Sequence, residues 1–398
     1  MIFIEGQYGK AYLTTAIGPK LERQIRSMLS SPAIDGRVVI MPDAHPGVGA
    51  VVGFTMPYSG GKIIPSIIGV DIGCGVSMYR FQRPVNLSCS EIDKRIRGVI
   101  PLGFEHRSKA LPNKRMSQYQ DLARRVNGKS PGPSLGTLGG GNHFIELGRM
   151  EKGTDVYLTI HTGSRRLGLD VANYYIRMSR QTVSSQSLAQ YRAAVQQAKR
   201  ENQGSLIQKK VQEARAEYLK SRCVNKDLCY LEGAQARAYM RDMYIAQRFA
   251  RDNREAIAKQ IMEVLNLPAI LVAESVHNFI SPRDNIIRKG AIAAHKGQRL
   301  VIPINRTFGT IIATGRGNVE WNYSAPHGAG RAMGRREAKG RITQQQADHV
   351  MQEKGVYSSY NPIDESDAAY KSPNLIMTAI EQTADIRRII KPFLNIKG

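Results

Sequence analysis

The sequence predicts an α+β fold built as one catalytic unit with a helical segment set into it, and three observations carry that reading. Short apolar runs punctuated by glycine and proline fill the first 80 residues and return after Pro268, the pattern of strands with side chains presented on turns. From about Val171 to Leu265 the composition changes to Ala, Gln, Arg and Lys with almost no proline or glycine, as long helices require. Residues with ligand or nucleophile chemistry run from Asp71 to His277 and on to His327, so one site draws on most of the 398 residues. Length alone allows two or three domains. The spread of the candidate site favours a single domain over residues 1–398, with a helical segment at 171–265 that includes a basic insertion at about 177–222.

In chain order, Val38–Met41, Ala50–Phe54 and Lys62–Val70 read as strands. A helix is expected near Ser90–Val99, capped by Ser88 or Ser90. Gly128–Ser134, rich in Pro, Gly and Ser, is a loop leading into the turn Gly139-Gly140-Gly141. Val156–Ile160 is dominated by β-branched and aromatic residues and reads as a strand delivering His161 at its end. Around Ala234–Ala258, Met240, Tyr244 and Ile245 recur at helical spacing and mark a core face. Ala269–Ala273, Leu300–Ile302 and Thr310–Gly315 read as further strands, and helices are expected at about Arg341–Glu353 and Leu375–Ile390. No internal repeat is evident.

The chain has 57 Lys and Arg against 33 Asp and Glu, a formal net charge of +24. Such a chain is drawn to polyanions, and RNA, DNA and ribosomes all qualify. Between Arg177 and Arg222 ten basic residues face three acidic ones. That segment is either an arm that lies along RNA backbone or a solvated helix face. Four cysteines, Cys74, Cys89, Cys223 and Cys229, fit neither a Cys-x-x-Cys zinc pattern nor a disulfide framework and point to a reducing compartment. The N-terminal residues lack a basic start followed by an apolar stretch, and no segment approaches a membrane span. A cytoplasmic protein without a membrane partner is expected.

The chemistry concentrates in a few motifs. His143 in Gly141-Asn142-His143-Phe144-Ile145-Glu146, His161 in His161-Thr162-Gly163-Ser164-Arg165, and His277 accompany Asp71-Ile72-Gly73-Cys74-Gly75. Three imidazoles, a carboxylate and a thiol form a mixed N/O/S set suited to borderline metals such as Zn, Mn, Fe or Co. Asp71 and Cys74, spaced across Ile72-Gly73, can be turned toward one point. Cys74 is then either a bridging thiolate or a buried small apolar residue. His327 stands apart in Pro326-His327-Gly328-Ala329-Gly330-Arg331, where glycines admit a phosphate to backbone N–H groups and an arginine can clamp its oxygens. His106 and His349 lack such contexts and are structural. A metal beside a histidine in a phosphate-binding loop points to phosphoryl or nucleotidyl transfer on nucleic acid.

These segments, together with Met41-Pro42-Asp43-Ala44-His45-Pro46-Gly47, Leu135–Glu146 and the tail Ile396-Lys397-Gly398, closely resemble the RtcB family of RNA ligases over nearly the whole chain. The resemblance implies a single domain whose central β-sheets form an active-site cleft surrounded by helices. It also implies a ligase dependent on GTP and two Mn2+ ions that joins an RNA 3′-phosphate or 2′,3′-cyclic phosphate to a 5′-hydroxyl through a guanylyl-histidine. By position, His327 would be the nucleophile and Asp43 its orienting carboxylate. Asp71, Cys74, His143, His161 and His277 would hold the metal, with Cys74 as bridge. Phe144 would pack on guanine, Glu146 would accept from its N1–H and 2-amino groups, and Lys397 would donate to its other edge. Tyr370, Gly328, Ala329, Gly330 and Arg331 would complete the nucleotide site, and Asn142 and Arg165 would touch phosphates of nucleotide or RNA.

The chain also departs from the family pattern. Ser275-Val276 precede His277 where Cys-His is usual, Pro303–Gly309 replaces Pro-Gly-Ser-Met-Gly, and Pro326 takes the place of a serine. His295, in a position where arginine is usual, has no assigned role. With the basic helical insertion, these changes resemble the bacterial branch associated with release factor H, which implies repair of broken RNA, ribosomal RNA included. The rival readings are a metal-dependent phosphodiesterase or cyclic-phosphate hydrolase without a covalent histidine, and an RNA-binding factor that has lost catalysis.

Overall fold

Four chain segments converge because of strand order. The computed structural model, which describes residues 2–201, 204–222 and 225–398, contains a seven-stranded sheet ordered Arg299–Asn305, Gly309–Gly315, Ala384–Ile396, Phe144–Arg149, Val156–Thr162, Gly75–Phe81 and Ala269–Val276. Its last four strands are antiparallel neighbours. Phe144 pairs with His161, and Gly75 pairs with both Thr162 and Val276. Cys74, His143, His161 and His277 therefore all fall at the same end of adjacent strands, whose spacing is about 4.8 Å.

A six-stranded sheet, ordered Ile2–Glu5, Lys10–Leu13, Val38–His45, Val52–Pro57, Ile286–Lys289 and Asn278–Ile280, meets the first at His277. That residue is the single link between the strands Ala269–Val276 and Asn278–Ile280. Its N–H donates to the Cys74 carbonyl at 2.9 Å, and its own carbonyl accepts from Ala291 N–H at 3.3 Å. A two-stranded ribbon, Ala291–Ala293 with Ser324–Pro326, pairs Ala291 with Pro326 and so delivers His327 beside His277.

Helices cover both sheets. Pro19–Met28, Met116–Arg125 and the first halves of Arg165–Glu201 and Gly233–Leu265 close one apolar core, and Cys89–Val99 with the end of Gly233–Leu265 closes another. Sheets and helices are thus mixed in one unit, as the composition predicts. Ser88 caps Cys89–Val99 by accepting from Glu91 N–H. The helical segment begins at Arg165 rather than Val171 and forms three helices, Arg165–Glu201, Ser205–Arg222 and Gly233–Leu265. The first two pack as a hairpin, with Tyr191 stacked on Tyr218 at 5.1 Å, and the side chains of Lys199, Arg200, Lys209, Lys210 and Arg215 are exposed. The side chains of Lys220 and Arg222, and all of Cys223, lie outside the described residues. Among the described residues no helix is long and apolar enough to cross a membrane.

Several local expectations are corrected. Lys62–Val70 is not a strand: Pro65–Ile68 is a short helix with Pro65 at its first position, buried on every side. A helical turn buried all round has the same unbroken apolar run as a buried strand. Leu375–Ile390 is helical only as Pro373–Ile380, and Ala384–Ile396 is a strand. Ile386, Ile389 and Ile390 imitate helical spacing because Arg387 is the extra residue of a bulge opposite Ile312 and Ala313. The helix expected at about Arg341–Glu353 is Gln344–Glu353, opened by a Thr343 capping box, and a separate helix not expected from sequence, Arg335–Arg341, precedes it. On Gly233–Leu265 the fully buried stripe is Ala236, Tyr239, Met243, Ala246, Phe249 and Ala250. Met240, Tyr244 and Ile245 pack beside it, half-buried.

Candidate active site

The strand ends assemble a cluster of electron-pair donors. Cys74 Sγ lies 3.5 Å from His143 Nε2 and 3.3 Å from His161 Nε2. His143 Nε2 is 3.1 Å from Asp71 Oδ2, and His161 Nε2 is 3.4 Å from His277 Nε2. The ligand atoms fall into two groups, Asp71–Cys74–His143 and Cys74–His161–His277, each with its atoms within 4.8 Å of one another. Cys74 belongs to both. The second ring nitrogens explain the orientation: His143 Nδ1–H donates to Leu138 O at 3.0 Å and His161 Nδ1–H to Asn142 O at 3.2 Å. A carbonyl can only accept, so in the neutral form of both rings Nε2 carries the lone pair and aims it into the cluster.

Burial holds His161 and His277 well below the ordinary histidine range, which keeps them neutral as metal ligation requires. Burial and the neighbouring Asp71 push the Cys74 thiol well up. Burial alone would raise Asp71 too, but a proton on His143 Nε2, in the place a cation would take, outweighs it and holds the carboxyl at about 2. Lone pairs, a carboxylate and a sulfur thus face one another at 3.1–3.5 Å. His277 Nδ1 is buried without a hydrogen-bond partner among the described residues. This donor set fits one or two cations, and a cation would reverse the penalty on the thiolate.

His327 stands at the edge of the cluster, its ring 4.8 Å from that of His277. Asp43, fully buried in the strand Val38–His45, accepts from His327 Nδ1–H at 2.6 Å and from His327 N–H at 3.1 Å. This leaves Nε2 with the free lone pair. Gly330, at φ +71°, would place a Cβ 1.9 Å from the Asp43 carbonyl oxygen, so only glycine lets the loop lie against that strand. Lys371 secures the same strand by donating to Pro42 O at 2.8 Å and Ala44 O at 2.7 Å.

His327 opens onto a cavity of about 770 Å³ that also exposes Asn142, Phe144, Glu146, Gly328, Ala329, Gly330, Arg331, Tyr370 and Lys397. Glu146 is buried, accepting from Thr310 Oγ1 at 3.2 Å and Asn395 Nδ2 at 3.1 Å, and burial pushes its carboxyl up to about 8. The Lys397 ammonium lies 5.9 Å from the centre of the Phe144 ring and donates to Glu365 Oε2 at 3.0 Å.

Of the residues expected from sequence, Arg165 is not in the cavity wall. It has φ +50°, its Nε donates to Thr137 Oγ1 at 3.2 Å, and its guanidinium lies over Gly139. Arg331 lines the cavity, but its guanidinium is held by Glu365 Oε1 at 3.1 Å and Met333 O at 3.0 Å. Sequence reasoning missed Glu365. This buried carboxylate also accepts from Tyr370 OH at 2.7 Å and Arg335 at 2.8 Å, and although burial opposes it, Lys397 and Arg335 hold its carboxyl at about 2. It missed Arg306 and Asn395 too, which line the cavity and are joined at 3.1 Å. The divergent Pro303–Arg306 stretch is therefore cavity wall. His45, quoted in a motif but given no role, lines it as well, its ring 6.5 Å from that of His327.

Comparison with known proteins matches the family profile described as tRNA-splicing ligase RtcB to residues 24–128 and 118–398. The RNA-splicing ligase RtcB of Escherichia coli (strain K12) is 28% identical over 418 residues, covering 94% of this chain and 93% of that protein. RNA-splicing ligase RtcB2 of Escherichia coli (strain ATCC 25922) is 28% identical over 77% of this chain and 71% of its own length. The tRNA-splicing ligase RtcB of Nanoarchaeum equitans is 25% identical, over 94% and 91%.

Proposed function

The chain belongs to the RtcB family, and from that premise we propose that it is an RNA ligase which uses GTP and two Mn2+ ions to join RNA 3′-phosphate or 2′,3′-cyclic phosphate ends to 5′-hydroxyl ends. The observation that carries the reading is the pairing of two ligand groups that share Cys74 with a histidine whose Nδ1–H is tied to buried Asp43 at 2.6 Å.

In this reading His327 Nε2 attacks the α-phosphorus of GTP: a P–N bond forms, the P–O bond to pyrophosphate breaks, and pyrophosphate leaves with the electron pair. Asp43 keeps the ring in the tautomer that has a free Nε2 and stabilises the positive charge that develops on the imidazole. Asp71, Cys74, His143, His161 and His277 would hold the metal, which when bound supplies charge neutralisation at phosphate oxygens. Asn142 and the Gly328–Gly330 backbone border the space a phosphate would occupy. Phe144 offers a ring face, Glu146 two acceptor oxygens for N1–H and the 2-amino group, and Lys397 a donor, while Tyr370, Arg331 and Glu365 hold that wall. A buried carboxylate selects guanine because adenine presents no such pair of donors and would leave it unsatisfied.

The net charge of +24 favours a large RNA as substrate. We extend the proposal to repair of broken RNA, ribosomal RNA included, with a functional link to release factor H, on the strength of the departures at Ser275-Val276 and Pro303–Gly309 and the basic helical hairpin. The test is incubation with α-labelled GTP and Mn2+, followed by RNA carrying 3′-phosphate and 5′-hydroxyl ends. An acid-labile protein adduct that disappears as joined RNA forms is expected. Loss of terminal phosphate without an adduct or a joined product would instead indicate a hydrolase.

A further inference from the structure

A second cavity, of about 610 Å³, opens beside the strand that ends in Ser275 and Val276, next to His277, and shares no wall residue with the His327 cavity. That volume suits a ligand of nucleotide size. Its wall holds four arginines, Arg248, Arg251, Arg254 and Arg283, against one carboxylate, Glu274. The carboxylate is already committed. Arg254, fully buried, donates to Glu274 Oε1 at 2.9 Å and to the carbonyls of Gly73 and Thr162, and Arg251 lies 3.7 Å from Glu274 Oε2. Arg248 and Arg283 are exposed, and their guanidinium groups have no ion-pair or hydrogen-bond partner among the described residues. Arg248 and Arg251 sit one helical turn apart on Gly233–Leu265, and Arg283 comes from the turn after Asn278–Ile280.

Unpaired cations around a concave wall focus positive potential, and guanidinium forks match the oxygens of a phosphate. Gln247, also in the wall, has a buried Oε1 with no hydrogen-bond partner among the described residues. A ribose hydroxyl is a donor of the kind that atom lacks, whereas the ionised carboxylate of an acidic protein side chain supplies none at neutral pH. We propose that this cavity binds backbone phosphate and ribose of an RNA strand approaching the metal cluster from the His277 side, an inference that rests on the RNA-ligase reading.

The test is equilibrium binding of a 5′-hydroxyl oligoribonucleotide across a salt series, with guanylylation measured in the same proteins. The full-length parent is compared with R248Q/R283Q and with the charge-preserving R248K/R283K. Loss of two phosphate contacts on single-stranded RNA should flatten the plot of log affinity against log salt by about 1.4, at roughly 0.7 per contact. Guanylylation should stay at the parental level, and the lysine pair should recover most of the slope. An unchanged slope in R248Q/R283Q overturns the assignment, as does loss of guanylylation or an equal fall in the lysine pair, which would make the arginines structural. Selective competition by an acidic peptide over the oligoribonucleotide overturns it in favour of a protein partner. If the parent neither binds nor joins RNA, the ligase reading itself has failed, a result distinct from all of these.

Discussion

Guanine recognition through Glu146 should be linked to pH. The group is buried, with its carboxyl pushed up to about 8 by desolvation. Below that value it carries a proton and offers one fewer acceptor, whereas the guanine N1–H and 2-amino group present two donors. Binding in the proposed mode therefore selects the ionised form and releases a proton, so affinity rises with pH. With a pKa near 8, the ionised fraction is about 1% at pH 6, about 10% at pH 7 and about half at pH 8. Apparent Kd should accordingly fall about tenfold from pH 6 to 7 and about fivefold from pH 7 to 8. Calorimetry with guanosine is the assay, because it removes the titration of the triphosphate and of any metal. Buffers of different ionisation enthalpy then report the proton released. Glu146→Gln should bind weakly, with a flat profile and no proton release. A flat profile in the parent, or the same slope in the variant, would refute the reasoning.

His327→Ala should abolish guanylylation and joining while metal content measured by elemental analysis stays at the parental level; any residual adduct would remove this residue as nucleophile. Cys74→Ala should lower Mn2+ occupancy of both groups at once, because one sulfur serves both, and unchanged occupancy would contradict the shared ligand. Glu365→Gln should destabilise the fold by about 3–5 kcal/mol, since it leaves buried Lys397 and Arg331 without their anion and Arg335 with Asp364 alone. The parental contribution of that carboxylate is present above about pH 4.5 and lost as pH falls toward 2, so the melting difference between the two proteins should shrink in acid. Changing Lys199, Arg200, Lys209 and Lys210 of the hairpin to Gln should weaken binding of a large RNA and flatten its salt dependence by roughly 0.7–0.9 per lost contact, while guanylylation continues. An unchanged slope would make the hairpin a solvated face.

What the sequence revealed and what it concealed follow from one physical distinction. Asp71, Cys74, His143, His161 and His277 stood out because ligand-type residues sat at the ends of apolar runs, and the strand order then carries those ends to one edge of a sheet. No such signal marks Glu365 or Arg306. Glu365 lies in a polar stretch that reads as surface and Arg306 just past the apolar run Leu300–Ile304, and both side chains are buried in the folded chain. Their partners are distant in sequence: Lys397 is 32 residues from Glu365, and Asn395 is 89 from Arg306. Arg331 shows the converse. A phosphate clamp was the natural reading of an arginine after His-Gly-Ala-Gly, yet its guanidinium is satisfied by Glu365 and Met333 O. To reach a phosphate it would have to exchange those bonds, which makes it a better support for the Tyr370 wall, 5.3 Å away, than a ready donor. Local pattern thus identified the ligand-type groups that the fold brings together. The buried ion pairs that hold those groups belong to the tertiary structure, and the carboxylate at their centre has to be found there.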